Sequence, residues 1–416
     1  MNIKQRQITV VLLTGSSISH NPRALKEASA LARAGFRVRV LGAWLDPMLK
    51  AMDQHVIPDL AFEFVPVLDL TERRLIDQVP RIRRRSGVIA HTLVDFENRW
   101  QLGYSYTYLK RAALREQADL FIVHSEPALA VGADLHRAGR RVGIDMEDWF
   151  SEDLLPETRR HRPLKLLRSL EETLLAEGVF ASCPSRAMSD ALAAAYDCPR
   201  PTVIYNAFAW NDRKFLDGSR RDRRDQNLVS VHWFSQTLGP GRGLEQLFES
   251  LPLMSRKFEI HLRGRVTGDF ERWLRSNTPD AWADQVFLHE LVENSELLSR
   301  IAEHDIGFAG EQLYCLNKDL TISNKILYYL LGGLAVAASS TEGQREVANQ
   351  APDAVFLYPS GDPQALANVL NSFLVSPERL LKAKSRAVQA ARATFCWEQQ
   401  EPLLVEAVSR SARAPC

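Results

Sequence analysis

Short apolar runs alternate with amphipathic segments along most of this chain. The first run, residues 8–14, is rich in β-branched residues, as a buried parallel strand requires. Asn21 and Pro22 follow it, and they suit the cap and the first turn of a helix. The next amphipathic segment keeps one apolar face and stops at Gly35, before a second strand at 36–41. This order predicts a β-loop-α-β unit with a right-handed crossover.

The same alternation continues as far as residue 205. Later strands of this half are predicted at 62–67, 120–124, 141–146, 179–183 and 202–205. Helices are predicted between them at 98–116, 127–138, 164–177 and 185–196. Strands and helices that alternate in this way are typical of a doubly wound parallel sheet.

A polar and charged stretch at 211–227 interrupts the pattern and is typical of a linker or an exposed loop. The alternation then restarts, with strands predicted at 228–234, 258–263, 286–289, 305–309, 334–338 and 354–357. Helices are predicted at 244–251, 295–301, 324–331 and 363–373. The fold prediction is therefore α/β, with two Rossmann-like doubly wound parallel-sheet domains. Ligands bind at the carboxyl ends of such strands, so we expect the two domains to face a central cleft.

Length and composition agree with this organisation and exclude several other classes. A chain of 416 residues is too long for one ordinary core. The formal net charge of +1 gives no overall field that would attract nucleic acid. The five cysteines form no Cys-x-x-Cys pair and show no zinc spacing, so neither a metal nor a cofactor is expected. We expect a cytoplasmic protein, since the first apolar run is too short for a signal peptide.

Two loops suggest sites for an anion. Gly15 and Ser16 follow the first predicted strand and lie close to a helix start, where backbone N–H groups can hold an anion or a sugar hydroxyl. A tight turn without a ligand is the alternative. The corresponding loop of the second half contains Gly241, Arg242 and Gly243. Glycines let the backbone approach a ligand, and an arginine at a helix start suits a diphosphate, although many such arginines are only solvated.

The segment at 321–334 carries the most specific signal. Thr321, Ser323 and Asn324 are all suitable helix caps, and Lys325 falls in the first turn of the predicted helix. A cation is unfavourable at a helix N-terminus, so an anion close to it is implied. An amphipathic helix with a lysine on its water-exposed side explains the leucines but does not explain the cluster of caps.

The stretch SNKILYYLLGGLAVAASSTEGQREV resembles the donor-site signature of family-4 glycosyltransferases, which have the GT-B fold. Three other stretches agree with that family in order and spacing: SHNPRALKEASALARAGFRVRVLG, ADLFIVHSEPAL with IDMEDWFSE, and FSQTLGPGRGLEQL. Residues 395–398 resemble the start of the family's closing helix, which crosses back to the first domain. The resemblance implies an acceptor domain at 1–208, completed by a helix at about 394–416, and a donor domain at 209–393.

By this resemblance, Arg242 corresponds to the basic residue that holds the donor diphosphate. His124 corresponds to a histidine that contacts the transferred sugar, although a histidine that only closes a buried strand is the alternative. Arg242, Lys325, His124 and Glu311 form the predicted catalytic set. The predicted donor-binding set contains Gly15, Ser16, Gly241, Gly243, Arg263, Thr321, Ser323, Asn324, Tyr328, Glu342, Gly343 and Gln344. The acceptor side is assigned to His20, Asp145, Glu147 and Asp148; no metal is expected there.

Two departures from the family pattern matter. The family commonly has a second basic residue where this chain has Thr237, so less positive charge faces the diphosphate. It also commonly has two glutamates eight positions apart, at the places that Leu320 and Tyr328 occupy here. The carboxylate contact to the nucleotide ribose is therefore missing from its usual place, and Glu311 is the nearest candidate to supply it.

The resemblance implies a retaining transfer of a sugar from a nucleotide-sugar to a glycan or lipid-linked acceptor, in polysaccharide or glycoconjugate synthesis. Arg242 and Lys325 would stabilise the departing phosphate electrostatically. Two alternatives stay open: a non-catalytic binding protein of the same fold, and a sugar-nucleotide epimerase of the same fold.

Basic segments at 73–85 and 159–168 form a further pattern. Basic residues next to amphipathic segments indicate binding to an anionic membrane surface. A solvated helix face whose leucines point to the core is the alternative.

Overall fold

The computed structural model describes residues 6–72, 77–239 and 241–413. The chain divides into two units: unit 1 comprises Met1–Ile204 with Glu401–Cys416, and unit 2 comprises Tyr205–Gln400. These limits differ by a few residues from the sequence-based boundaries at 208 and 393. Arg73, Arg74, Pro240 and Cys416, which the sequence patterns include, lie outside the described residues.

The described residues of unit 1 form seven strands: β1 (Thr9–Leu13), β2 (Arg37–Trp44), β3 (Glu63–Asp69), β4 (Leu120–Val123), β5 (Val142–Asp145), β6 (Phe180–Cys183) and β7 (Thr202–Val203). They pair in parallel in the order β3-β2-β1-β4-β5-β6-β7. The central strand β1 is apolar on both faces, and Val10–Leu13 are fully buried. A strand of this composition requires helices on both sides of the sheet.

The helices of unit 1 are α1 (Pro22–Arg33), α2 (Pro47–Val56), α3 (Gln78–Val94), α4 (Tyr106–Ala113), α5 (Glu126–Arg137), α6 (Pro156–Arg159), α7 (Leu164–Glu177) and α8 (Arg186–Tyr196). The predicted cap of α1 is confirmed, because the Asn21 side chain accepts a hydrogen bond from the Ala24 N–H. The predicted helix at 98–116 is confirmed only in its second half, as α4. Its first part is a 3-10 turn, Arg99–Leu102, and an extended Gly103 separates this turn from α4.

The basic segment at 159–168 lies at the start of α7 and is largely neutralised. Arg159 and Arg168 both form ion pairs with Glu152, at 2.7 Å, and Arg162 pairs with Glu126. Lys165 pairs with Asp95 at 2.8 Å. The leucines that follow are buried, namely Leu167, Leu170, Leu174 and Leu175. Arg160 is exposed and forms no ion pair within the described ranges. The four paired cations and the buried leucines fit the alternative, a solvated helix face, while membrane contact by this segment stays a prediction.

The described residues of unit 2 form six strands: β8 (Ser230–Thr237), β9 (Glu259–Arg265), β10 (Val286–His289), β11 (Ile306–Ala309), β12 (Ala335–Ser339) and β13 (Val355–Tyr358). They pair in parallel in the order β10-β9-β8-β11-β12-β13. Both sheets are therefore doubly wound, as the sequence predicts.

The helices of unit 2 are α9 (Leu244–Ser250), α10 (Gly268–Asn277), α11 (Asn294–Ala302), α12 (Leu316–Leu320), α13 (Asn324–Gly332), α14 (Glu342–Gln350), α15 (Pro363–Leu374) and α16 (Pro377–Ala393). A last helix, α17 (Trp397–Arg413), begins among the residues of unit 2 and ends among those of unit 1. None of the helices in the described ranges is long and apolar enough to span a lipid bilayer.

The polar segment 211–227 packs on unit 2 and is not a free linker. Arg223 is buried and forms ion pairs with Glu259 at 2.9 Å and with Asp305 at 3.0 Å. Asp217 pairs with Arg300, whose guanidinium is also buried. Composition predicts exposure here because it does not show which acidic and basic side chains pair across the fold.

A column of four histidines crosses the core of unit 2. The His304 ring lies 4.6 Å from the His232 ring and 4.5 Å from the His261 ring, centroid to centroid. His261 in turn stacks on His289 at 5.2 Å and shares a 2.9 Å hydrogen bond with it. Neither ring nitrogen of His232 has a hydrogen-bond partner in the described part of the chain. We refer to these four residues as the histidine stack.

Candidate functional site

The strand order of unit 2 reverses between β8 and β11. Strand β8 pairs with β9 on one side and with β11 on the other, so the loops that follow β8 and β11 leave the same edge of the sheet side by side. In doubly wound sheets this reversal point is where ligands bind.

A contact between two glycines brings these two loops together. Gly243 has a φ of 84°, and a Cβ atom added there would overlap the carbonyl oxygen of Gly310. The backbone of the loop after β8 therefore lies directly against the backbone of the loop after β11. Their neighbours in the sequence, Arg242 and Glu311, consequently share one edge of the sheet.

Glu311 forms an ion pair with Lys325 at 2.8 Å. Ser323 connects the two, because its hydroxyl donates to Glu311 at 2.8 Å and accepts from the Lys325 backbone N–H at 3.3 Å as the N-cap of α13. Burial alone would raise the pKa of the Glu311 carboxyl, but the Lys325 ammonium lowers it to about 2. The anion expected beside Lys325 is therefore the Glu311 carboxylate of the protein itself. We refer to Arg242, Glu311, Ser323 and Lys325 as the switch-point cluster.

Arg242 differs from Lys325 in its charge environment. Its side chain is exposed, and its Nη1 atom donates to the Ser235 hydroxyl at 2.6 Å. Within the described ranges no carboxylate forms an ion pair with it. The nearby Glu245 carboxylate accepts instead from the Gly241 backbone N–H. Arg242 therefore offers a positive charge that no carboxylate of the described residues neutralises.

Helix α13 is fixed closely on the sheet, and this fixes Lys325. The Tyr329 hydroxyl donates to the carbonyl oxygens of His232 at 3.0 Å and Phe308 at 3.3 Å. Its ring lies over Gly307 on β11, where a Cβ atom would overlap it. Any larger residue at 307 would push α13 away from the strand and carry Lys325 with it.

An aromatic stack stands where the family pattern expects a glutamate. The Tyr328 ring stacks on Phe208, with centroids 3.5 Å apart, and meets the Phe234 ring edge-on at 5.6 Å. Burial raises the pKa of the Tyr328 hydroxyl to about 12, so this side chain stays neutral. The position offers a flat apolar surface and one hydroxyl group, and no carboxylate.

Arg263 is engaged within the fold. It is buried at the end of β9, forms an ion pair with Asp222, and donates to the Glu290 carbonyl oxygen. Its guanidinium thus ties the segment 211–227 to the sheet. This arrangement gives Arg263 a structural explanation that does not involve a donor.

The remaining predicted donor residues form a second group around the start of α14. A Cβ atom at Gly343 would overlap the Thr321 carbonyl oxygen, so the first turn of α14 lies against the segment that leads into α13. Gln344 is buried and donates to the Ser339 carbonyl oxygen and hydroxyl at 2.8 and 2.9 Å. The backbone N–H of Glu342 donates to Asp319 at 2.9 Å. Asn324, in contrast, is exposed and accepts from Asn206 at 3.1 Å.

Unit 1 contains a separate group of charged residues at the carboxyl edge of its sheet. Arg23 donates to both oxygens of Asp145, at 2.7 and 2.8 Å, and Ser182 donates to Asp145 at 2.7 Å. The Nε2 atom of His124 lies 3.2 Å from a carboxylate oxygen of Glu27. These four ionisable residues are all buried. We refer to Arg23, Glu27, His124 and Asp145 as the buried charge cluster.

The ionisation of this cluster follows from burial and pairing. Burial alone lowers the pKa of the His124 imidazole, but the Glu27 carboxylate raises it to about 9. Burial raises the pKa of the Glu27 carboxyl. Burial would also raise the pKa of the Asp145 carboxyl, but the Arg23 guanidinium outweighs burial and lowers that pKa. Burial raises the pKa of the neighbouring Glu147 to about 7. His124 is therefore positively charged at neutral pH.

One ligand atom from each of Glu27, His124 and Asp145 lies within 4.8 Å of the others, a spacing that a metal ion could bridge. Both Asp145 oxygens, however, already accept from Arg23, which supplies the cation that the carboxylate needs. The arrangement fits a buried ion-pair network better than a metal site.

The predicted first-domain residues lie around this cluster. His124 has no exposed surface, as expected for a histidine that closes a buried strand. Glu147 and Asp148 are half-buried and His20 is exposed; Glu147 accepts from Asn21 at 3.2 Å. The Gly15 N–H donates to the Ser125 hydroxyl at 2.9 Å, and the Ser16 carbonyl accepts from the Ala43 N–H at 3.1 Å. The N–H of Gly15 is thus used within the protein.

Sequence reasoning missed Arg23, Glu27 and Phe208. Glu27 was detectable, because it occupies an apolar-face position of α1 together with Ala24, Ala28 and Leu31. A charged residue at such a position is buried only with a partner. Phe208 gave no signal of its own, since its partner Tyr328 lies far along the chain.

The chain matches neither a known family model nor a curated protein in sequence. Its structure is similar to that of HepE from Anabaena in complex with UDP and glucose, with a TM-score of 0.71 and 18% identity over 97% of this chain and 100% of the other. It is also similar to a sucrose-phosphate synthase from Thermosynechococcus elongatus, with a TM-score of 0.71 and 13% identity over 97% and 99%. A glycosyltransferase from Rickettsia africae matches with a TM-score of 0.67 and 12% identity over 99% and 100%.

At these identities the similarity establishes architecture. The two doubly wound parallel sheets and the match over almost the whole length of each neighbour agree on one arrangement. This chain has the GT-B fold.

Proposed function

We propose that this chain is a retaining glycosyltransferase of family 4, which moves a sugar from a nucleotide-sugar donor to a glycan or lipid-linked acceptor in polysaccharide or glycoconjugate synthesis in the cytoplasm. The observation that carries the proposal is the switch-point cluster. There an arginine without an ion pair in the described ranges and the capped start of α13 both lie at the reversal point of a doubly wound sheet.

The charges of this cluster suit the departure of a nucleoside diphosphate. When the anomeric carbon–oxygen bond breaks, positive charge grows on the sugar and negative charge grows on the phosphate. Arg242 would stabilise that phosphate, and this assignment is supported by a guanidinium that has no competing carboxylate among the described residues. The Lys325 ammonium shares its charge with Glu311, so it contributes less than an isolated lysine would.

The structural neighbours support a nucleotide-sugar as the donor. HepE has been crystallised with UDP and glucose and with UDP-glucose. The stacked pair Tyr328 and Phe208 offers an apolar surface on which part of a donor can rest, in place of the carboxylate that the family pattern places there.

Thermal-shift measurements test this proposal. The purified protein is screened against UDP-, GDP-, ADP-, dTDP- and CMP-sugars, and we expect one nucleotide class to raise the melting temperature. Arg242→Ala should remove that shift. Arg256→Ala is the matched control, because Arg256 is an exposed arginine that precedes β9 at the opposite edge of the same sheet. A protein that responds to none of these donors would contradict the proposal.

A second candidate function, binding of a nucleotide-sugar without transfer, is favoured by the aromatic stack at Tyr328 and by Thr237. Tyr328→Glu distinguishes the two. A gain in donor hydrolysis or transfer would indicate an enzyme that has lost an ordinary ribose contact. Tight donor binding by the unaltered chain, with neither hydrolysis nor transfer in the chain or the variant, would indicate binding without transfer. Tight binding with transfer by the unaltered chain, and no gain in the variant, would indicate an enzyme whose site is adapted to another donor. Tyr328→Phe keeps the stack and serves as the control.

A further inference from the structure

Helix α3 of unit 1 exposes a large apolar surface. Five apolar residues of the helix are exposed, and Phe96 and Trp100 extend this surface beyond its C-terminus; the helical residues are Ile82, Val88, Ile89, Leu93 and Val94. With 3.6 residues per turn, Ile82, Ile89 and Leu93 lie on one face of α3. Single exposed apolar residues are ordinary on a protein surface, but several on one face indicate a contact surface. We refer to these seven residues as the apolar part of the α3 surface; its basic part consists of Arg81, Arg83, Arg84 and Arg85.

The N-terminal half of the same helix is strongly cationic. Arg81, Arg83, Arg84 and Arg85 lie within its first turns, and in the described ranges none of them forms an ion pair with a carboxylate. Arg84 stacks on Tyr104 at 4.9 Å and donates to its hydroxyl at 3.2 Å, and Arg81 donates to the Leu70 carbonyl oxygen. Four positive charges at the positive end of a helix dipole repel one another, so an external anion is favoured there.

A cavity joins the two halves. It has a volume of about 420 Å³ and is lined by Arg81, Arg84, Arg85, Val88, Ile89 and Tyr104. Three guanidinium groups and an aromatic wall therefore lie next to apolar side chains on one helix face. This combination matches a phosphate group that is attached to a hydrocarbon chain.

The acidic residues near the end of α3 do not oppose this arrangement. Asp95 is paired with Lys165 at 2.8 Å. Glu97 accepts the backbone N–H of Leu166 at 2.6 Å. These contacts hold the C-terminal end of α3 on unit 1 and leave its apolar residues exposed.

We propose that the α3 surface binds unit 1 to an anionic lipid bilayer, with the arginines at the phosphate headgroups and the apolar part among the upper acyl chains. This inference rests on the proposed function and deepens it, because it names the surface that would bring unit 1 close to a lipid-linked acceptor. Lipid binding is measured without donor or acceptor, so its failure and a failure to bind nucleotide-sugars are separate results.

The test is co-sedimentation of the full chain with vesicles of phosphatidylcholine, with and without phosphatidylglycerol. We expect binding that requires the anionic lipid and weakens with salt. Arg85→Glu/Leu93→Asp should lower the partition coefficient about tenfold or more, because each basic residue near the surface contributes about 1 kcal/mol. The matched control is Arg386→Glu/Leu381→Asp on α16, which makes the same charge change, with Leu381 67% exposed against 76% for Leu93.

Circular dichroism and the melting temperature check that the variants fold. Arg84→Gln/Arg85→Gln, which alters no apolar residue, should also weaken binding. Three results would overturn the proposal: no vesicle binding, equal binding to both kinds of vesicle, or equal loss of binding in the α3 and α16 variants. A dimer in light scattering that Leu93→Asp dissociates, without vesicle binding, would show instead that the α3 surface joins two copies of the chain.

Discussion

Acidification should destabilise unit 2, because the histidine stack resists protonation. Burial lowers the pKa of His232 and His304 well below the usual value, and it lowers that of His261 to about 4. Glu259, which His261 contacts at 3.1 Å, opposes the shift but does not cancel it. Unfolded histidines bind a proton near pH 6.5. The stabilising contribution is therefore complete above pH 6.5 and is lost as the pH falls towards 4.

The size of the effect follows from the difference in bound protons. A buried histidine of this kind stays neutral at pH 5 in the folded protein but binds a proton near pH 6.5 in the unfolded chain. At pH 5 each one therefore lowers the free energy of unfolding by about 2 kcal/mol. Three such residues cost about 6 kcal/mol, a large part of the 5–15 kcal/mol that stabilises an ordinary domain. Glu303, whose pKa burial raises, opposes part of this loss.

Hydrogen exchange resolved by peptide is the suitable assay, because it reports the two units separately. The opening free energy of amides in β8 and β9 should fall between pH 7.5 and pH 5, after correction for intrinsic exchange. His232→Phe keeps a buried aromatic ring beside His304 and removes one titrating group, so it should restore about 2 kcal/mol at pH 5. His55→Phe, at an exposed position of unit 1, is the control. Opening free energies of unit 2 that do not change over this range would refute the reasoning.

Two further predictions concern the switch-point cluster. Gly243→Ala should lower the free energy of unfolding by about 2 kcal/mol or more, since alanine is strained at a φ of 84° and its Cβ meets Gly310. Gly239→Ala, where a Cβ meets nothing, should be neutral in the same urea titration. Lys325→Met should lower the free energy of unfolding by about 3 kcal/mol, because it leaves Glu311 without its cation. The double variant Lys325→Met/Glu311→Gln should lower it less. If the double variant is as unstable as the single one, the pair does not hold the cluster together.

The fold could be predicted from the sequence, because its signals are local. Buried strands such as β1 and β11 consist almost entirely of apolar residues, and α7 has both an apolar face and a glycine after its last residue. The four arginines of α3 hid its apolar residues, so that helix was missed. The first half of the helix predicted at 98–116 was wrong, because Asn98 caps a short 3-10 turn, which periodicity does not distinguish from an α-helix.

The candidate site was predicted less well, because its chemistry depends on contacts between distant residues. The sequence implied an anion beside Lys325 but could not show that Glu311 supplies it. Arg263 carried the right charge for a donor phosphate, yet its partner Asp222 lies in a segment that composition predicts to be a linker or an exposed loop. Pairings of this kind are set by the sheet topology and leave no local pattern.

The path of α17 has a consequence for synthesis on the ribosome. Leu404 and Val408 of this helix are fully buried, and Glu401 pairs with Arg33 of α1 at 2.7 Å. Unit 1 therefore lacks part of its core until α17 has been translated. At 5–20 residues per second, the roughly 200 residues of unit 2 take about 10–40 s to translate. During that time unit 1 exposes the apolar surface that α17 later covers, so a nascent chain is most open to chaperones while unit 2 is being made.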